Sequence, residues 1–133
     1  MGISRAIGSP KYPLAESLLR ERAAAAHDRS YCPEGFGRQL AAILSAPDRT
    51  PSLRSVRIPF LVVHSEEDPL ITVSGGEATA NASPAARLLT FPGMGHDLPP
   101  QLWDEITEAL TANAASGSLE QSDPSDETAR RMS

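Results

Sequence analysis

The run Ile58-Pro59-Phe60-Leu61-Val62-Val63 constrains this chain more than any other part of it. It is apolar without interruption, ends on His64, and passes directly into Ser65-Glu66-Glu67-Asp68-Pro69. A strand with one wet face would alternate apolar and polar residues, and this run does not. It is also too short, and too tightly bounded by charged and turn residues, to be an ordinary helix. A continuous β-branched run of this kind marks a strand covered on both faces, which in practice means a parallel sheet flanked by helices.

The residues that follow complete such a unit. A helix-like stretch spans about Ser74 to Ala82, with Ser74 placed to cap its start, and Ala86-Arg87-Leu88-Leu89-Thr90-Phe91 reads as a second, shorter strand. Strand, helix and strand in this order predict a right-handed parallel crossover. Pro92-Gly93-Met94-Gly95-His96-Asp97 is turn chemistry. Pro99-Pro100 opens a last helix in which Leu102, Trp103, Ile106 and Leu110 are expected on one face.

The fold class is therefore α/β, in three regions. Residues 1–50 read as helical, with Leu14, Leu18 and Leu19 leading an Ala-rich stretch to Ala26, and Gly35, Phe36, Leu40, Ile43 and Leu44 forming a second helix closed by Pro47. Residues 51–115 hold the strands and their loops. Residues 116–133 carry almost no apolar side chain and are expected to be a disordered polar tail. Two parallel strands leave both sheet edges open, so a strand as apolar as residues 58–63 expects neighbours on each side. The sequence reads as part of a larger α/β protein.

Composition narrows the partners. Seventeen acidic residues against twelve basic ones leave no basic face for a phosphate backbone, and the arginines are scattered, which excludes nucleic acid. No apolar run approaches the roughly eighteen residues of a membrane span. The start Met1-Gly2-Ile3-Ser4-Arg5-Ala6 has neither a secretory signal nor the hydroxyl that myristoylation requires at position 6. A single cysteine cannot form an internal disulfide framework, so a reduced, cytoplasmic setting is expected, with a small molecule or a protein as partner.

Asp68 and His96 are the residues best placed for chemistry. Each lies just beyond the carboxyl end of a predicted strand, the edge at which open α/β sheets hold ligands. A carboxylate bonded to one imidazole nitrogen fixes the ring's tautomer and frees the other nitrogen for general base and acid work. Taken singly, Asp68 is an ordinary turn carboxylate before Pro69, and His96 an ordinary loop histidine. His64, Glu66, Asp68, His96 and Asp97 include metal-ligand types, but without helical His-x-x-x-His or Cys-x-x-Cys spacing no metal site is assigned. Cys32, beside Pro33, reads as a small, partly buried thiol rather than a nucleophile, and Glu66 and Glu67 as solvated.

Val62-Val63-His64-Ser65-Glu66-Glu67-Asp68-Pro69-Leu70 and Pro92-Gly93-Met94-Gly95-His96-Asp97-Leu98-Pro99 together resemble the last two strand-to-loop segments of the α/β-hydrolase superfamily, in the esterase-like branch that includes the aclacinomycin methylesterases. In that family a His-Gly-x-x-Asp-Pro-Leu loop carries the acid of the triad and a Pro-Gly-x-Gly-His loop its histidine. The resemblance thus implies Asp68 as triad acid and His96 as triad base. Ile7-Gly8-Ser9-Pro10-Lys11-Tyr12-Pro13 and Arg38-Gln39-Leu40-Ala41-Ala42-Ile43 resemble the cap region and its approach to the acid-bearing strand, so residues 1–50 become a partial helical cap. The likeness covers roughly residues 7–114.

Two departures from the family pattern stand out. Ser65 occupies the position of the usual glycine. The Gly-x-Ser-x-Gly turn that bears the nucleophile is missing: the nearest string, Gly2-Ile3-Ser4-Arg5-Ala6, ends on alanine and follows no strand. The oxyanion hole belongs to the same missing part. The resemblance therefore implies a hydrolase of small-molecule carboxylic esters, here truncated and inactive by itself, with no cofactor. The alternative is a non-catalytic fragment that pairs with another chain to complete its sheet.

Overall fold

In the computed structural model, which describes residues 2–120, the apolar run becomes strand β1 (Phe60–Ser65) and its successor strand β2 (Ala86–Phe91). The strands pair in parallel, with Phe60 opposite Ala86 and Ser65 opposite Phe91. Helix α5 (Val73–Ala82) connects them, and helix α6 (Trp103–Glu120) follows a single 3₁₀ turn at Pro100–Leu102. The architecture is the expected α/β class.

Successive side chains of a strand point to opposite faces, so each face of the pair receives one helix. His64 lies against α5 at Gly76, where a Cβ would come within 2.6 Å of the imidazole. Val63 and its pairing partner Leu89 point the other way, onto a core built from Phe91, Met94, Leu102 and Ile106, with Tyr12 packed beside them. Asn113 ties α6 to the entry of β1 by donating to the Pro59 carbonyl at 3.3 Å.

The core therefore lies beneath the carboxyl ends of the strands rather than along them. Phe60 through His64 are only half buried, and Ile58 is 65% exposed, so the complete cover expected for this strand is absent. The physical reason is geometric: among the described residues each strand has a neighbour on one side only.

Several expectations change in detail. Thr72 rather than Ser74 stands at the start of α5, its hydroxyl 2.8 Å from that of Ser74. Leu102 and Ile106 pack inward, whereas Trp103 and Leu110 are about half exposed. Trp103 is turned to the rim, where its indole N–H donates to the Leu98 carbonyl at 2.9 Å. Cys32 is exposed, with the Arg38 guanidinium 3.0 Å from its sulfur. Helix α6 continues through Glu120 into the segment expected to be a disordered tail, and residues 121–133 lie outside the described residues.

The first fifty residues are helical as expected, in α2 (Glu16–Arg29) and α3 (Gly35–Ser45), and two short helices that no periodicity announced flank them, α1 (Gly2–Ile7) and α4 (Thr50–Leu53). Neither α2 nor α3 contains a buried residue, and α3 turns Phe36, Ile43 and Leu44 to solvent.

Placement of the core gives a direct test. Ile106→Ala is expected to destabilise the chain by about 2–5 kcal/mol, as for other large-to-small core changes, while Leu110→Ala one turn further on costs less than about 1 kcal/mol. Urea unfolding followed by circular dichroism measures both, and equal costs would place the core along α6 instead.

Candidate acid–base site

Parallel pairing brings the carboxyl ends of β1 and β2 to one edge, and the two loops leaving that edge run side by side. Backbone hydrogen bonds lace them together: Glu66 N–H donates to the Phe91 carbonyl at 3.3 Å and Glu67 N–H to the Met94 carbonyl at 3.1 Å. Glu66 and Glu67 themselves point outward, and the Glu66 carboxylate accepts from the Thr90 hydroxyl at 2.8 Å.

Asp68 divides its two oxygens between two tasks. Oδ1 accepts the backbone N–H groups of Leu70 at 2.8 Å and Ile71 at 3.0 Å, closing the turn around Pro69. Oδ2 lies 2.7 Å from Nδ1 of His96. One oxygen thus closes the turn and the other faces the imidazole. The Asp68 side chain is 7% exposed and that of His96 38%, so the carboxylate is sheltered while the ring faces outward.

Burial works to raise the Asp68 pKa, but the Ile71 amide, the His96 ring and the Leu70 amide outweigh it and hold the group below the ordinary carboxylate value. An ionised Asp68 accepts a proton carried on Nδ1, and in the neutral tautomer with that proton the lone pair is on Nε2. Among the described residues Nε2 has no hydrogen-bond partner. The ring borders a cavity of about 290 Å³ whose walls include Asp68, Ile71, Met94 and Leu98. Ser65 contributes the only hydroxyl to that wall, and it is buried and donates to the Gly95 carbonyl. The arrangement is an oriented imidazole that can take up and return a proton, without a nucleophile of its own among the lining residues.

Sequence reasoning missed the support behind His96. Residues 7–11, read as part of the cap, lie along the histidine loop as a strap. The His96 N–H donates to the Ile7 carbonyl at 2.7 Å and the Lys11 N–H to the Gly93 carbonyl at 3.1 Å. Ser9 donates its N–H to Asp97 Oδ1 at 2.8 Å, directs its hydroxyl to the same oxygen, and accepts the Gly95 N–H at 3.0 Å. The glycines of the loop carried the available signal. Gly93 has φ +81°, and a Cβ on Gly95 would come within 2.5 Å of the Gly8 carbonyl oxygen, so backbone must approach backbone here. A second cavity, of about 470 Å³, opens between this strap, helix α2 and the two loops, bordered by Arg5, Tyr12, Leu19, Glu67 and Asp97.

His64, weighed as a metal ligand, places its Nδ1 2.8 Å from the Ser65 carbonyl oxygen. Among the described residues no three His, Cys, Asp or Glu side chains are grouped to hold a metal ion, and no helix is long and apolar enough to cross a membrane.

Residues 39–123, more than half of the chain, match the family described as TAP-like protein, and the chain belongs to that family within the α/β-hydrolase superfamily. The matched segment contains β1, β2 and both loops. The strap precedes it.

The electrostatics predict an acid dependence. Because the folded-state pKa of Asp68 is depressed, its contribution to stability is fully present above the unfolded value near 3.8 and is lost as pH falls through the folded value below that. Urea midpoints measured from neutral to acid pH should fall for the wild type, with the Asp68 share of that fall absent in Asp68→Asn. Identical acid slopes would show that the pair contributes nothing.

Proposed function

We propose that this chain supplies the acid–base half of a serine-type hydrolase that cleaves small-molecule carboxylic esters. The observation that carries the reading is the 2.7 Å contact between His96 Nδ1 and Asp68 Oδ2, beside a cavity that both residues line. Membership of an α/β-hydrolase family supports it.

In this role His96 Nε2 takes the proton of a serine hydroxyl as that oxygen attacks the ester carbonyl. It then delivers the proton to the departing alkoxide, leaving an acyl-serine. Water attacks the acyl carbon by the same route, its proton passing through Nε2 back to the serine, and the acid product leaves. Asp68 stays ionised throughout, holding the ring's tautomer and stabilising the imidazolium. The nucleophile and the oxyanion donors come from outside the described residues, either from further polypeptide of the same enzyme or from another chain. On this reading the described part is inactive alone.

A second reading has its own observation. Ile58 is 65% and Leu88 37% exposed beside sheet edges that have no partner among the described residues, which favours a protein that completes the sheet. Both readings are open to measurement. The purified chain, incubated with a panel of activated short-chain esters, is expected to give no turnover; hydrolysis lost in both His96→Ala and Asp68→Ala would overturn its inactivity alone. Sedimentation of the chain as a well-behaved monomer with cooperative unfolding would count against the sheet-completing partner.

A further inference from the structure

We propose that Ser65 and Ser9 are positioning residues that grip the backbone of Gly95, one at its carbonyl and one at its N–H, and so aim the His96 ring at Asp68. The proposal rests on the acid–base reading of that pair. The peptide plane between Gly95 and His96 immediately precedes the histidine Cα, and its tilt sets where the ring points. Its carbonyl accepts the Ser65 hydroxyl, and its N–H donates to the Ile7 carbonyl at 2.7 Å. One peptide earlier, the Gly95 N–H donates to the Ser9 hydroxyl oxygen at 3.0 Å. The Ser9 hydroxyl proton is then free to go to Asp97 Oδ1, and donors and acceptors balance at every atom.

Burial makes these bonds consequential. Ser65 and Ser9 are each 6% exposed and Gly95 is buried, so neither hydroxyl is readily replaced by solvent. Ser65 also ends the strand that leads to Asp68, three residues before it, so its side chain crosses from the acid-bearing segment to the base-bearing loop. Glycine, the residue usual at this position in the family the sequence resembles, has no hydroxyl to make that crossing and would leave the buried Gly95 carbonyl without its donor. Ser9 reaches the same loop from the strap, outside the segment that matches the family. Between them the two hydroxyls hold the loop against both of its neighbours, and a 2.7 Å contact between side chains on different loops depends on such restraint.

The test is nuclear magnetic resonance of the full chain with ¹⁵N-labelled histidine, reading exchange of the His96 Nδ1 proton with water, assigned by its loss in His96→Ala. The wild type is expected to show a slowly exchanging proton at that nitrogen. Ser65→Ala and Ser9→Ala should each speed its exchange about tenfold, the effect of losing one buried hydrogen bond, while both variants still unfold cooperatively. Ser65→Thr, which keeps the hydroxyl, should restore slow exchange. Ser83→Ala serves as a control, because the Ser83 hydroxyl is buried with no partner among the described residues and should leave the proton untouched. Wild-type exchange in both Ser65→Ala and Ser9→Ala would overturn the positioning role. So would loss of cooperative unfolding in both, which would make the hydroxyls props of the fold. A wild type without a protected His96 proton is a different failure: it overturns the Asp68–His96 pairing itself and the grip along with it.

Discussion

Everything at the candidate site follows from the parallel register of two strands. Placing Ser65 opposite Phe91 sends both chains out of the sheet at the same edge, so that the residues after each must share the same space. An antiparallel pairing of these segments would put the Asp68 and His96 loops at opposite ends of the sheet. From that register come the backbone bonds of Glu66 and Glu67 to the second loop, and from those bonds the reach of Asp68 to His96. The helix between the strands is what makes the parallel arrangement possible, and Gly76 is where it comes close enough to rest on β1.

The strands and the pair of loops were legible because their signals are local. An apolar run, a turn-rich break and a second apolar run define β1, α5 and β2 without knowledge of anything else, and the second strand falls on Ala86–Phe91 as read. Asp68 and His96 were legible because a short loop after a strand can only stay near its end. Packing around α6 was less so: a helical face that includes Trp103 and Leu110 is a statement about periodicity, whereas which residues are covered depends on how far the sheet extends beneath the helix. Here it extends only far enough to bury Leu102 and Ile106.

The strap was illegible for a different reason. Ile7, Ser9 and Lys11 touch the histidine loop across more than eighty residues of sequence, and nothing in their own neighbourhood has strand or helix periodicity. Their hydrogen bonds are made by backbone groups and one hydroxyl, which leave no apolar pattern. The only trace is on the receiving side, in Gly93 and Gly95, where side chains would collide with Lys11 and Gly8. Close approach of backbone to backbone is recorded in a sequence as missing side chains, and a missing side chain names no partner.

The position of the core explains how the Asp68–His96 contact can be ordered on so small a sheet. Phe91 ends β2 and Met94 belongs to the histidine loop itself; both are buried against Leu102 and Ile106. Apolar burial, the largest favourable term in folding, is therefore concentrated directly under the two loops rather than between the strand centres, which remain half open. A loop whose own side chain forms part of the core cannot shift without exposing it. Met94 anchors the histidine loop from below, the hydroxyls of Ser65 and Ser9 hold it from the sides, and His96 is left as the exposed residue between buried Gly95 and half-buried Asp97. The same packing that stabilises the fold thus leaves the imidazole of the loop turned outward, where it can exchange a proton.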